Sequence, residues 1–170
     1  LLDTAPAYGC SEERLGKLLG KHRQEWIIVS KAGETYADQK SSYDFSPKAI
    51  IDSVEQSLRR LKRDYIDVML IHSNVDDMKI ITQDDVFVTL ERLKQAGKIR
   101  FGGMSSKTAA GGIASLDHAD CVMATYHLDD VSELSVLAHA AEVGKPVFIK
   151  KALASGHHDP KAALEFVVQQ

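Results

Sequence analysis

Short apolar, β-branched runs alternate along this chain with stretches of helical periodicity. The runs are LLDTA (1–5), WIIVSK (26–31), YIDVMLIHS (65–73), IRFGGMSS (99–106), CVMATYH (121–127) and PVFIKK (146–151). Each reads as a strand, because it is apolar on both faces and bounded by polar or turn residues. Between them, SPKAIIDSVEQSLRRL predicts a helix, with Ser46 as N-cap and Pro47 at the first helical position. Ile50, Ile51, Val54, Leu58 and Leu61 form its expected apolar face. DDVFVTLERLKQAGK places Val86, Leu90 and Leu93 on a face and stops at Gly97; SELSVLAHAAEVGK repeats the pattern and stops at Gly144. DPKAALEFVVQQ opens another helix, with Asp159 as cap and Pro160 in the first turn. The run RRLKRD reads as a solvated helix end, where cations suit the helix dipole.

Strand followed by helix, repeated, is the mark of βα units and a parallel sheet. Two architectures compete, an open doubly wound sheet and a TIM (β/α)8 barrel. No G-x-G-x-x-G follows a strand, so the dinucleotide fingerprint of the open sheet is absent. Polar residues gather instead at strand C-terminal ends: Asp3, Lys31, His72, Ser105, Ser106, His127, Lys150 and Lys151. In a barrel these ends face one mouth, where active sites sit. The pattern therefore predicts one α/β domain over residues 1–170, an incomplete TIM barrel with about six βα units. Closure would need another strand before Leu1 and another after Gln170. The expectation is a gap in the wall between LLDTA and PVFIKK.

Composition narrows the class. The chain has 170 residues, 44% of them hydrophobic and 26% charged, enough for a sizeable core. Its net charge is −3 and no basic block stands out, so nucleic acid is not an expected partner. The apolar runs are far shorter than a membrane span, so no membrane partner is expected. Cys10 and Cys121 are far apart and form no C-x-x-C pattern. They read as free thiols of a reducing compartment, which places the protein in the cytoplasm.

Asp3, Tyr8, Lys31 and His72 all fall at or just past strand ends. A tyrosine, with an ordinary pKa of about 10, is a poor proton donor at neutral pH. A nearby cation favours the phenolate and brings that proton within reach of catalysis. Lys31 can be that cation, Asp3 its counter-ion, and His72 a hydrogen-bonding partner for a carbonyl oxygen. Other features have plainer readings. His157 and His158 beside Asp159 read as a loop before a helix cap, and His118, His127 and His139 share no ligand spacing, so no metal is expected. Gly102, Gly103, Gly111 and Gly112 lack the Lys-Ser/Thr of a P-loop and read as close strand–helix packing.

DTAPAYGCSEERLG, VSK, VMLIHS and GKIRFGGMSS, in this order, resemble the aldo/keto reductases, nicotinamide-dependent enzymes on a (β/α)8 barrel. The resemblance implies a catalytic tetrad of Asp3, Tyr8, Lys31 and His72, with Tyr8 as proton donor to a small aldehyde, ketone or sugar. It implies NADP as cofactor, with NAD not excluded. It aligns Ser105 and Ser106 with the family's Ser-Asn pair, Met123 with its glutamine, and Lys150 with its stacking aromatic residue. Lys151, Leu153 and Ser155 align with the loop that meets the pyrophosphate. A second reading is a nucleotide-binding barrel that turns over weakly and serves as a sensor or regulatory subunit.

Overall fold

In the computed structural model, residues 1–22, 24–83 and 85–169 are described. Asp84, where one expected helix begins, and Gln170, where another ends, lie outside the described residues. In chain order the elements are β1 (Leu2–Asp3), α1 (Ser11–Leu18), β2 (Ile28–Ala32), β3 (Glu34–Ala37), β4 (Lys40–Tyr43), α2 (Pro47–Leu61), β5 (Ile66–His72), α3 (Asp77–Gln83), α4 (Val86–Gln95), β6 (Ile99–Ser105), α5 (Ala109–Leu116), β7 (Cys121–Thr125), α6 (Leu134–Glu142), β8 (Val147–Lys150) and α7 (Pro160–Val168). Six strands form one sheet in the order β1-β2-β5-β6-β7-β8, with every pair parallel. The sheet curls into a partial TIM barrel. β1 pairs with β2 and β8 with β7, and no pairing joins β1 to β8 among the described residues, so the expected gap is present. Side chains from both of these edge strands nevertheless line one shared cavity.

Strand alternation divides the core. Ile28, Met69, Ile71, Ile99 and Met104 point outward, against Ile50, Val54, Leu58 and Leu61 of α2 and Val86, Leu90 and Leu93 of α4. Val29, Val68, Leu70, Cys121 and Met123, with Phe148 beside them, pack on the barrel side. A third cluster joins Val122 and Ala124 of β7 to Leu116, Val136 and Ala140 of α5 and α6. The expected caps are in place: Ser46 Oγ accepts from Ala49 N at 3.3 Å and Asp159 Oδ1 from Ala162 N at 3.0 Å. Gly103 and Gly112 are glycines because of close approach. A Cβ at Gly103 would meet the Cys121 carbonyl oxygen at 2.5 Å, and one at Gly112 would meet Val136 Cγ2 at 2.7 Å.

Several expectations need correction. Ile51 is exposed, one position off the stripe that Ile50 and Val54 follow. Trp26 and Ile27 precede β2 and are also exposed. RRLKRD is solvated only in part, at Arg59, Lys62 and Asp64. Arg63 is buried, donating to the carbonyls of Trp26 (2.8 Å) and Tyr65 (3.1 Å) and to Asp67 Oδ2 (2.9 Å). Arg60 reaches the buried Glu12 at 3.1 Å. The β3–β4 hairpin lies where the hydrophobic pattern predicts no element. Its residues are exposed apart from the half-buried Glu34, and Asp38 and Gln39 turn it with φ of 51° and 61°.

Candidate active site

The period of a strand is two residues, so parity decides which side chains enter the barrel. Pairing aligns His72, Ser105, Met123 and Phe148 across β5, β6, β7 and β8 at one level. Lys31 is level with Leu70, the inward residue two before His72. Parity thus brings Asp3, Lys31, His72, Ser105, Met123, Thr125, Phe148 and Lys150 to a cavity of about 750 Å³, which Tyr8 and Lys151 also line.

Asp3, Tyr8, Lys31 and His72 converge. Lys31 is 1% exposed, although it carries a charge. Its Nζ donates to Asp3 Oδ1 at 2.7 Å and to the Thr4 carbonyl oxygen at 2.9 Å. The same Nζ stands 4.7 Å from the Tyr8 ring centroid. The Tyr8 and His72 rings meet edge to face, 6.1 Å between centroids and 88° between planes. Tyr8 is held by the turn after β1, its N–H donating to the Ala5 carbonyl at 3.0 Å. The strand β2 is tied to α1 by Glu12, 1% exposed, whose Oε1 accepts from Ser30 Oγ at 2.7 Å.

Burial pushes the His72 pKa down to about 4. The Glu34 carboxylate opposes that shift, while Lys31, Lys107 and Lys150 add to it. The Glu34 contact is close but not aligned: Nδ1 lies 2.8 Å from Glu34 Oε2 and has no hydrogen-bond partner. At neutral pH His72 is therefore uncharged. In the unfolded chain its pKa returns to about 6.5, so between pH 6.5 and about 4 the unfolded state binds more protons. Stability from this group is full above about pH 6.5 and falls as pH drops toward 4, by at most about 3 kcal/mol. Urea unfolding at a series of pH values should show this loss in the wild type and a shallower one in His72→Gln. Equal slopes would mean that His72 is not buried neutral.

The expected cofactor residues divide. Ser105, Met123, Lys150 and Lys151 line the cavity; Ser106, Leu153 and Ser155 are not among its lining residues. Ser106 follows Ser105 and so takes the opposite parity. Its hydroxyl donates to Glu133 Oε1 at 2.9 Å, and Glu133 Oε2 accepts from Thr125 N at 2.6 Å. Ser155 sits in a left-handed turn with φ of 60°. Lys150 Nζ donates to Ser105 Oγ at 3.2 Å and to the Ser106 carbonyl oxygen. Burial pushes the Lys150 pKa down to about 8, with Glu133 and Asp77 opposing.

Sequence reading missed three carboxylates that organise the rim. Glu34, next to His72, is itself fixed by Ser41 Oγ at 2.6 Å and Tyr43 OH at 3.0 Å. Glu133 clamps the ends of β6 and β7. Asp77, 1% exposed, accepts from Lys107 N at 3.0 Å and Thr108 N at 2.8 Å, and from the Ser73 hydroxyl. Position was a signal for two of them, since Glu34 and Asp77 closely follow the ends of β2 and β5, whereas Glu133 lies farther along, just before α6.

A model of the aldo/keto reductase family matches residues 1–166. Among solved structures, a candidate aldo-keto reductase from Pseudomonas aeruginosa is 48% identical, with a TM-score of 0.94 over 99% of this chain and 66% of that one. The holo form of an aldo-keto reductase from Bacillus halodurans is 31% identical, with a TM-score of 0.80 over 91% of this chain and 53% of that one. L-galactose dehydrogenase of Arabidopsis thaliana is 30% identical over 91% of this chain and 51% of its own length. The chain thus spans about half the length of that plant relative. No helix among the described residues is long and apolar enough to cross a membrane. With the half-barrel topology, the strand-end cavity and a family match over nearly its whole length, this chain belongs to the aldo/keto reductase family of oxidoreductases.

Proposed function

We propose that residues 1–170 form one incomplete barrel domain whose cavity reduces small aldehydes, ketones or sugars with a nicotinamide cofactor. The observation that carries this reading is the buried Lys31 ammonium, 2.7 Å from Asp3 and 4.7 Å from the Tyr8 ring. A cation in that place stabilises the phenolate left behind when Tyr8 gives its proton to a carbonyl oxygen. Asp3 holds the lysine in position. His72, neutral at working pH, presents an imidazole beside Tyr8 and orients the substrate oxygen. The cavity walls suit a dinucleotide, with a Ser105 hydroxyl, a polarizable Met123 thioether and the cations Lys150 and Lys151. Those residues would hold it, together with Leu153 and Ser155 of the following loop, whereas the Ser106 hydroxyl is taken by Glu133. When bound, a reduced nicotinamide supplies hydride to the carbonyl carbon.

The relatives support the class and leave the cofactor open. One of them is an NADH-specific methylglyoxal reductase of Escherichia coli, 30% identical over 92% of this chain. We take NADP as the cofactor, with NAD as the alternative. The test is consumption of NADPH and of NADH with a panel of small aldehydes and sugars. Saturable consumption is expected. Nucleotide binding without turnover on any of them would favour the second reading, a sensor or regulatory barrel, which the loss of the Ser106 hydroxyl to Glu133 and the Lys150 cation at the cavity wall both support.

Met123 gives a separate expectation. It is 5% exposed and packs among Val29, Val68, Leu70 and Cys121. Met123→Gln places an amide there without a partner and should destabilise the free protein by about 1–3 kcal/mol. A bound carboxamide could satisfy that amide, so NADP(H) should bind more tightly by about 1 kcal/mol. Thermal melts with and without cofactor measure both effects. A cofactor-induced rise in melting temperature no larger than in wild type would show that residue 123 does not reach the nicotinamide.

A further inference from the structure

Beside the cavity mouth, three side chains meet that no part of the proposed reduction uses. His127 and Asp129 lie in the loop after β7, and His158 lies just before the Asp159 cap of α7. Their ligating atoms all lie within 4.8 Å of one another. The His127 and His158 rings are tilted at 53° with centroids 5.7 Å apart. Sequence spacing gave no hint of this, because the two histidines come from different loops and meet only when the barrel folds. The His157–His158–Asp159 run, weighed as a ligand set from sequence, contributes just one of its three members, since Asp159 is engaged as a helix cap.

We propose that His127, Asp129 and His158 bind a divalent transition metal of the zinc class. Two imidazoles and one carboxylate are the donors such ions prefer, whereas calcium and magnesium take all-oxygen sets. His158 Nε2 is buried and has no hydrogen-bond partner. It lies 3.1 Å from Asp129 Oδ2, out of line for a hydrogen bond but close to the spacing of two ligands on one zinc ion. The His127 ring carries one long contact, 3.3 Å from the Asp129 N–H to Nδ1, weak enough to exchange for a metal bond. Asp129 is largely exposed, and its carboxylate already stands beside His158.

The backbone around the ligands is already fixed. His127 and Asp130 exchange two N–H to carbonyl bonds of 3.0 Å, which close a tight loop with Asp129 inside it. The His158 N–H donates to the Leu153 carbonyl at 3.3 Å. A metal would therefore order few new residues on binding. It would pin the segment after β8 to the loop after β7. Lys151 and Asp130, which line the cavity, belong to these same two segments. The proposal does not depend on the reductase reading, because metal binding is measured without turnover.

The test is titration of the tag-free, chelator-treated protein with Co²⁺, following its visible ligand-field absorption, then displacement by Zn²⁺. One equivalent of Co²⁺ should give a band of low-symmetry, four-coordinate intensity, displaced by Zn²⁺ and untouched by excess Mg²⁺ or Ca²⁺. His158→Ala and His127→Ala should each weaken binding by at least about 10- to 100-fold, and Asp129→Asn should also weaken it. His139→Ala, at a histidine paired to Glu142 on α6, should not. Circular dichroism of each variant checks that the fold is kept. No band at several-fold excess of cobalt, or wild-type binding in both His127→Ala and His158→Ala, would overturn the site.

Discussion

Tyr8→Phe is expected to lower carbonyl reduction by about 10²-fold or more, the range for a lost general acid. The variant removes one oxygen and leaves the ring that packs edge to face with His72 and lies under the Lys31 ammonium. Stability should therefore change little, and NADP(H) affinity should hold, because the phenol acts on the substrate oxygen. The loss should sit in kcat, with KM for the carbonyl nearly unchanged. Steady-state kinetics and a cofactor titration on the same preparation separate these outcomes. Turnover within a few-fold of wild type would remove Tyr8 from the proton-donor role. The rest of the cavity would then need another acid, and His72, uncharged at neutral pH, is poorly suited to be one.

The fold was legible because a barrel strand declares itself twice, by apolar residues on both faces and by a polar residue at one end. The same logic made Asp3, Lys31 and His72 visible. What stayed hidden obeys other physics. The β3–β4 hairpin buries little and so leaves no hydrophobic trace, yet it carries Glu34 to His72. In α5, Gly111 and Gly112 lower helix propensity and mask the element. Packing explains them, since Gly112 faces Val136 and Gly111 faces Asp77. Ser105 and Ser106 look equivalent as a pair in sequence. Strand parity makes one a cavity residue and the other a partner of Glu133. Arg63 shows the opposite failure, for a cation in a basic run reads as solvated until the fold supplies Asp67 and two carbonyls.

Lys31→Met tests the part of the site where structure and chemistry meet. The wild-type ammonium is almost fully enclosed and holds Asp3 Oδ1 and the Thr4 carbonyl oxygen. Methionine fills similar space and matches the apolar stem, so the cavity should not collapse. The Thr4 carbonyl loses a donor inside the protein, and Asp3 loses the cation paired with it. Removing one partner of a buried ion pair typically costs about 3–5 kcal/mol. Asp3 retains more than a third of its side-chain exposure, so water softens that cost and a loss nearer 1–2 kcal/mol is expected. Activity should fall further than stability, because the phenolate of Tyr8 loses its stabilising charge. Raising the pH should not restore it. Lys31→Arg keeps a charge but needs more room than a side chain 1% exposed has, so it should be less stable than wild type without regaining full rate. Melting curves and kcat against pH for the two variants distinguish the roles. Lost stability with normal kcat would make Lys31 a structural strut. Lost kcat in a variant that melts like wild type would make its charge purely a tuning device for Tyr8.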